Sequence, residues 1–213
     1  MNARGVLRAT GLGFGLGVVT GMPLAVDNMA IVDAATAGRR RFATGLGLGG
    51  GAADAIHAAL AFTGVGTLVT ANRTLVRGLA IAAAVVIIAY AVIAWRRRHA
   101  GQAERRADAG AADAGAADVQ LGRGVATGFV LTLPNPAALG AWVAVAASVW
   151  PDAVPFEAAL IAGGVGAGSA LWFTLLARWI GRVRRDHPAL TIVPRAALIV
   201  VIAIALVGVV RAL

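Results

Sequence analysis

The sequence predicts an all-α, polytopic membrane protein: six transmembrane helices in two inverted three-helix repeats, with the first and fourth helices broken. Three observations point there. The composition is too apolar for a soluble surface, the apolar runs recur at membrane-spanning length, and proline interrupts two of those runs near polar side chains.

Of the 213 residues, 59% are apolar and 14% are charged, with a mean hydropathy of +0.81. An ordinary soluble domain is about 25% charged, so this chain could not cover a folded surface facing water. The net charge is +9 and the isoelectric point about 11.8. All nineteen basic residues are arginines lying in the gaps between apolar runs. A nucleic-acid binder would gather them on one soluble face; here they read as membrane-flanking charges. With no cysteine in the chain, disulfides and thiolate chemistry are excluded. The start "MNARGVLRATGLGFGLGVV" has the basic beginning of a secretory signal, but its glycine-rich apolar run continues past signal length and is read as mature structure.

Six spans are expected, at about 6–36, 43–69, 76–95, 124–149, 156–180 and 190–211, each near or above the ~20 residues that cross a ~30 Å hydrocarbon core. The first contains Pro23 and the fourth Pro134-Asn135-Pro136. Proline lacks a backbone donor and clashes with the preceding turn, so both helices should break there. The low-complexity stretch "ADAGAADAGAAD" divides the chain into a first half (1–95), a flexible cytoplasmic linker (96–123) and a second half (124–213).

The arginines orient the spans. Fourteen fall on one side: six in the linker, Arg39, Arg40 and Arg41 after the first span, and Arg178, Arg182, Arg184, Arg185 and Arg195 at the facing ends of the fifth and sixth spans and between them. Positive charge is retained in the cytoplasm, which puts both termini outside. Trp95, Trp150 and Trp179 at span ends fit an interfacial aromatic belt.

The halves share a layout of broken, glycine-rich and plain apolar helices. Gly47 and Gly51 align with Gly164 and Gly168 at a constant offset of 117, and each pair forms a small-xxx-small packing face. Three spans per half would invert one half relative to the other, an arrangement found in transporters with midplane sites. "GLGFGLG" (11–17) has no preceding strand and reads as helix packing rather than a nucleotide loop.

Depth picks out the candidate site. Asp27 lies twelve residues from Arg39, Asp54 thirteen from Arg41, and Asn135 twelve from Arg123. At 1.5 Å per residue each is roughly 18–20 Å from its interface. A carboxylate at such depth costs on the order of 2.5–3.5 kcal/mol on insertion scales and is by default functional. Asn28 adjoins Asp27, and His57 shares a helix face with Asp54, where it could relay protons or orient the carboxylate. Asp33 is expected at the interface. The positive ends of the half-helices after Pro23 and Pro136 would suit a carboxylate, and the aspartates an ammonium group or proton. No cluster has metal-ligand spacing, although carboxylate and amide oxygens could suit a hard cation. No nucleophile–base pair suggests an enzyme.

These residues resemble the lysine-exporter (LysE/RhtB) family of bacterial amino acid translocators. "GLGLGGGAADAIHAALAFTGVGTLV" (45–69) is similar to the family's glycine-rich second helix with an embedded aspartate, here Asp54. "GFVLTLPNPAALGAW" (128–142) resembles its Asn-Pro-Lys-Ala segment, with Ala137 at the lysine position. "GMPLAVDN" keeps Pro23 of the Pro-Gly-Pro-Asn signature but puts Asp27 and Asn28 further on. That departure also resembles the cadmium-, manganese- and tellurium-resistance families of the superfamily.

The resemblance implies an inner-membrane secondary transporter exporting amino acids or related small amines with proton coupling; the alternative is a metal cation exporter on the same scaffold. A third reading is a non-transporting membrane scaffold or assembly factor. The expected partners are a small-molecule substrate (an amino acid) and the lipid bilayer. A homo-oligomer is an open option, and neither nucleic acid nor a cofactor is expected.

Overall fold

The computed structural model describes residues 2–22, 26–99 and 114–180, with 182 and 199 singly. Among them are eight helices: α1 (Ala3–Gly21), α2 (Val26–Thr36), α3 (Arg40–Phe62), α4 (Val65–Ala71), α5 (Arg73–His99), α6 (Ala114–Thr132), α7 (Pro136–Val149) and α8 (Pro155–Ile180). No strand occurs among the described residues.

α8 and the Arg73–Ala94 part of α5 are each long and apolar enough to cross a membrane alone. Three further helix pairs are long and apolar enough together but bent at a short break: α1–α2 by 68°, α3–α4 by 92° and α6–α7 by 73°. That makes up to five spans by length and composition, and the expected span at 190–211 lies outside the described residues. Leu7 and Leu68, 72% and 73% exposed, are the kind of outward apolar surface that lipid covers.

The breaks have local causes. Pro136 opens α7, where a missing N–H costs nothing, while Pro23 lies outside the described residues. The α3–α4 bend corrects the expectation of an unbroken 43–69 span. Gly64 there adopts φ +79°, a left-handed conformation open to glycine and costly for other residues. α2 ends in a Schellman turn at Gly38 (φ +81°), with the Arg39 N–H donating to Ala34 O and the Gly38 N–H to Ala35 O. Part of the expected linker is helical too, since α5 runs to His99 and α6 starts at Ala114. Alanine-rich sequence favours helix despite lacking an apolar stripe. Residues 100–113 are outside the described set.

α3 and α8 pack along each other at the centre, α1 lies against α8, and α6 lies against α3. Glycines make these approaches close. A Cβ on Gly13 or Gly17 would collide with the α8 carbonyls of Ile161 and Val165, and one on Gly164 or Gly168 with the α1 carbonyls of Thr10 and Phe14. The α3–α6 seam repeats the pattern: Gly45 and Gly49 against Leu121 O and Val125 O, Gly124 and Gly128 against Phe42 O and Leu46 O. Gly47 and Gly51 instead face α8, at Phe173 and at Gly166 with Ala170. Gly45 and Gly49 thus meet the α6 carbonyls much as Gly164 and Gly168 meet those of α1. In a helix this glycine-rich, composition alone does not say which glycine faces which neighbour.

Among the described residues, two large apolar clusters fill most of the interior. One gathers Ile31, Leu46, Leu131 and Phe173; the other gathers Phe62, Trp142, Ile161 and Val165.

Candidate functional site

The α1–α2 and α6–α7 breaks both border one cavity of about 230 Å³, room for roughly seven or eight waters at ~30 Å³ each. Asp27, Asp54, Thr132, Asn135, Trp142 and Phe173 are among its lining residues. Three helices thus bring the two deep carboxylates and the deep amide to one hollow.

Asp27 is in the first turn of α2, where a helix N-terminus favours negative charge. The hydroxyl of Thr132, the last residue of α6, lies 2.6 Å from Asp27 Oδ1 and 2.8 Å from Gly128 O. Gly50 leaves the space beneath this pair: a Cβ there would be 3.6 Å from both Asp27 Cγ and Thr132 Oγ1 and 3.4 Å from the Phe173 ring. Asp54 has the Ser169 hydroxyl and the Trp142 indole as polar neighbours. Ser169 is fully buried and also donates to Gly17 O at 3.2 Å.

Two predicted site residues serve the breaks instead. Asn28, 3% exposed, donates through Nδ2 to Gly21 O at 2.9 Å and accepts from the Trp172 indole at 3.3 Å. Gly21 O is a carbonyl released where α1 ends. His57, 2% exposed, reaches from α3 to Leu133 O at 2.9 Å, beside the α6–α7 break. A carbonyl only accepts, so Nε2 carries the proton, and Nδ1 is buried with no hydrogen-bond partner among the described residues. Each break thereby has a side-chain donor for a freed carbonyl, as lipid surroundings require.

Asn135 does both jobs. It lines the cavity, and its Oδ1 accepts from the N–H groups of Ala137 and Ala138 at 3.1 and 3.4 Å. The positive end of α7, expected to be open to a carboxylate, is capped by the chain itself.

Asp33 pairs with Arg39, a member of the arginine cluster beside which it was expected. It is 1% exposed, and Oδ2 lies 3.4 Å from Arg39 Nη2 and 3.5 Å from the Tyr90 hydroxyl. The Arg39 guanidinium also covers the Phe42 ring at 4.7 Å. Compensation inside the protein explains the burial: a carboxylate can leave water when a cation and a hydroxyl face it. No group of three His, Cys, Asp or Glu side chains that could hold a metal occurs among the described residues.

Sequence reasoning missed Thr132, Ser169, Trp142 and Gly50. A faint signal existed for Thr132, a hydroxyl inside an apolar span two residues before Pro134.

Broken helices around a hollow that holds two carboxylates, in a chain otherwise built to cross lipid, define a multi-pass membrane transporter. The model of the LysE type translocator family matches residues 18–211, and the chain belongs to that family. Its members are membrane translocators rather than enzymes. No curated protein and no solved structure matches the chain.

Proposed function

We propose that this chain is a bacterial inner-membrane secondary transporter that exports amino acids or related small amines, coupled to protons, by alternating access between two inverted halves. The observation that carries the reading is the single cavity into which Asp27 and Asp54 reach from different helices. Two ionised carboxylates lining one cavity repel each other, and a cation between them relieves that repulsion. An ammonium group and a proton can compete for the same oxygens, which is the requirement for exchange. Trp142 and Phe173 supply apolar wall for the rest of a small solute. A substrate carboxylate would compete with Asn135 for the α7 N–H groups.

The crossed packing supports the inverted-repeat part of the reading. Exchanging the halves carries the α1–α8 seam onto the α6–α3 seam, and both are built from two glycines on each helix. The match of a translocator family over residues 18–211 supports transport over a scaffold role.

The test is export from proteoliposomes loaded with radiolabelled amino acids, amines or divalent metals under an imposed proton gradient. Asp27→Asn and Asp54→Asn should each reduce export at least tenfold. Efflux of divalent metals alone would replace the amine reading with the metal one. Undiminished export by both variants would remove the cavity from the mechanism.

A further inference from the structure

The hydroxyl of Thr132 stands within hydrogen-bonding distance of two acceptors, Asp27 Oδ1 at 2.6 Å and Gly128 O at 2.8 Å. A threonine hydroxyl has one proton to donate and two lone pairs to accept with. It cannot donate fully to both at once. The backbone carbonyl can only accept, whereas the carboxyl accepts when ionised and can donate when protonated.

We propose that Thr132 is the positioning residue that holds Asp27 in both of its charge states, by reversing the direction of one hydrogen bond. With Asp27 ionised, Thr132 Oγ1–H donates to Oδ1. A proton arriving from the aqueous phase through the cavity forms a new O–H bond on the carboxyl, and no other covalent bond changes. That O–H then donates to Thr132 Oγ1, whose own proton turns to Gly128 O. The contact between α2 and the end of α6 persists, but the hydroxyl now bonds within α6 rather than across to α2.

The location gives the switch something to act on. Thr132 is the last residue of α6, its carbonyl accepts from the Asn135 N–H at 3.1 Å, and Leu133 O beside it is held by His57. Asp27 lies in the first turn of the opposite broken segment. The bond therefore joins the two breaks directly, with Gly50 leaving room beneath it. Among the described residues, α3 brings Asp54 to the same cavity and also carries His57, while Asp33, paired with Arg39 and Tyr90, lies further along α2.

The inference rests on reading Asp27 as a proton site of the transporter, yet it can be tested without any substrate. The experiment is infrared difference spectroscopy between acid and alkaline samples of the full-length protein in lipid nanodiscs, with aspartate side chains labelled with carbon-13. The protonated-carboxyl band lost in Asp27→Asn belongs to Asp27. Thr132→Ser should leave that band in place. Thr132→Val, close to threonine in shape, should keep the band but move it to higher frequency, because the carboxyl has lost its partner. A band unmoved in Thr132→Val overturns the proposal, as does the absence of any band that Asp27→Asn removes. Failure of export for every solute tried would sink the transport reading and leave this spectrum unchanged.

Discussion

Gly128→Ala is the sharpest test of how the two helical seams are built. Replacing a helical glycine by alanine ordinarily gains about 0.8–1 kcal/mol of helix propensity. At Gly128, however, the new Cβ would fall on Leu46 O, with the Leu46 backbone behind it. Backbone cannot rotate away as a side chain does, so α6 and α3 must move apart. Overpacking of this kind costs about 1–3 kcal/mol. Separation by 0.5–1 Å also forfeits a quarter to a half of each dispersion contact, and it is felt along the seam at Gly45, Gly49 and Gly124. Taking the upper end of that cost against the propensity gain leaves a net loss of about 2 kcal/mol. Gly122→Ala is the control on the same helix, since nothing lies within 4 Å of a Cβ there; it should gain up to about 1 kcal/mol. Reversible unfolding in mixed micelles, read by circular dichroism, measures the difference, expected near 3 kcal/mol. Equal stability of the two variants would refute the close-seam argument.

Two further outcomes follow from the site. His57→Phe leaves Leu133 O without its 2.9 Å donor and should lower stability by about 1–3 kcal/mol, with His57→Gln recovering part of the loss; thermal melting in detergent checks this. Gly50→Ala makes only ordinary contacts with Phe173, Asp27 and Thr132 and should keep the fold, whereas Gly50→Leu should fill the cavity and reduce proteoliposome export more than tenfold while the protein remains monodisperse.

That three distant polar residues lie at one level was legible from sequence because it depends on a local quantity. Helical rise is constant, so counting from the flanking arginines puts Asp27, Asp54 and Asn135 at one level, and the same three line one cavity. The proline break before α7 was legible for the same reason: a missing donor acts on its own turn. The bend at Gly64 was not legible, because 28 glycines give no hint which will adopt a positive φ.

The sequence by itself determined a helical chain apolar enough for lipid, the common level of three of its polar groups, and the break that proline imposes before α7. Tertiary structure decided which way those groups turn and what they meet. Asn28 and His57 read as site residues, yet their donors go to Gly21 O and Leu133 O, the latter 76 residues away from His57. Thr132 read as part of an apolar span, yet it touches Asp27 across 105 residues. The rise along a helix is set by its own backbone, whereas the direction a side chain faces gains meaning only from the helix packed against it.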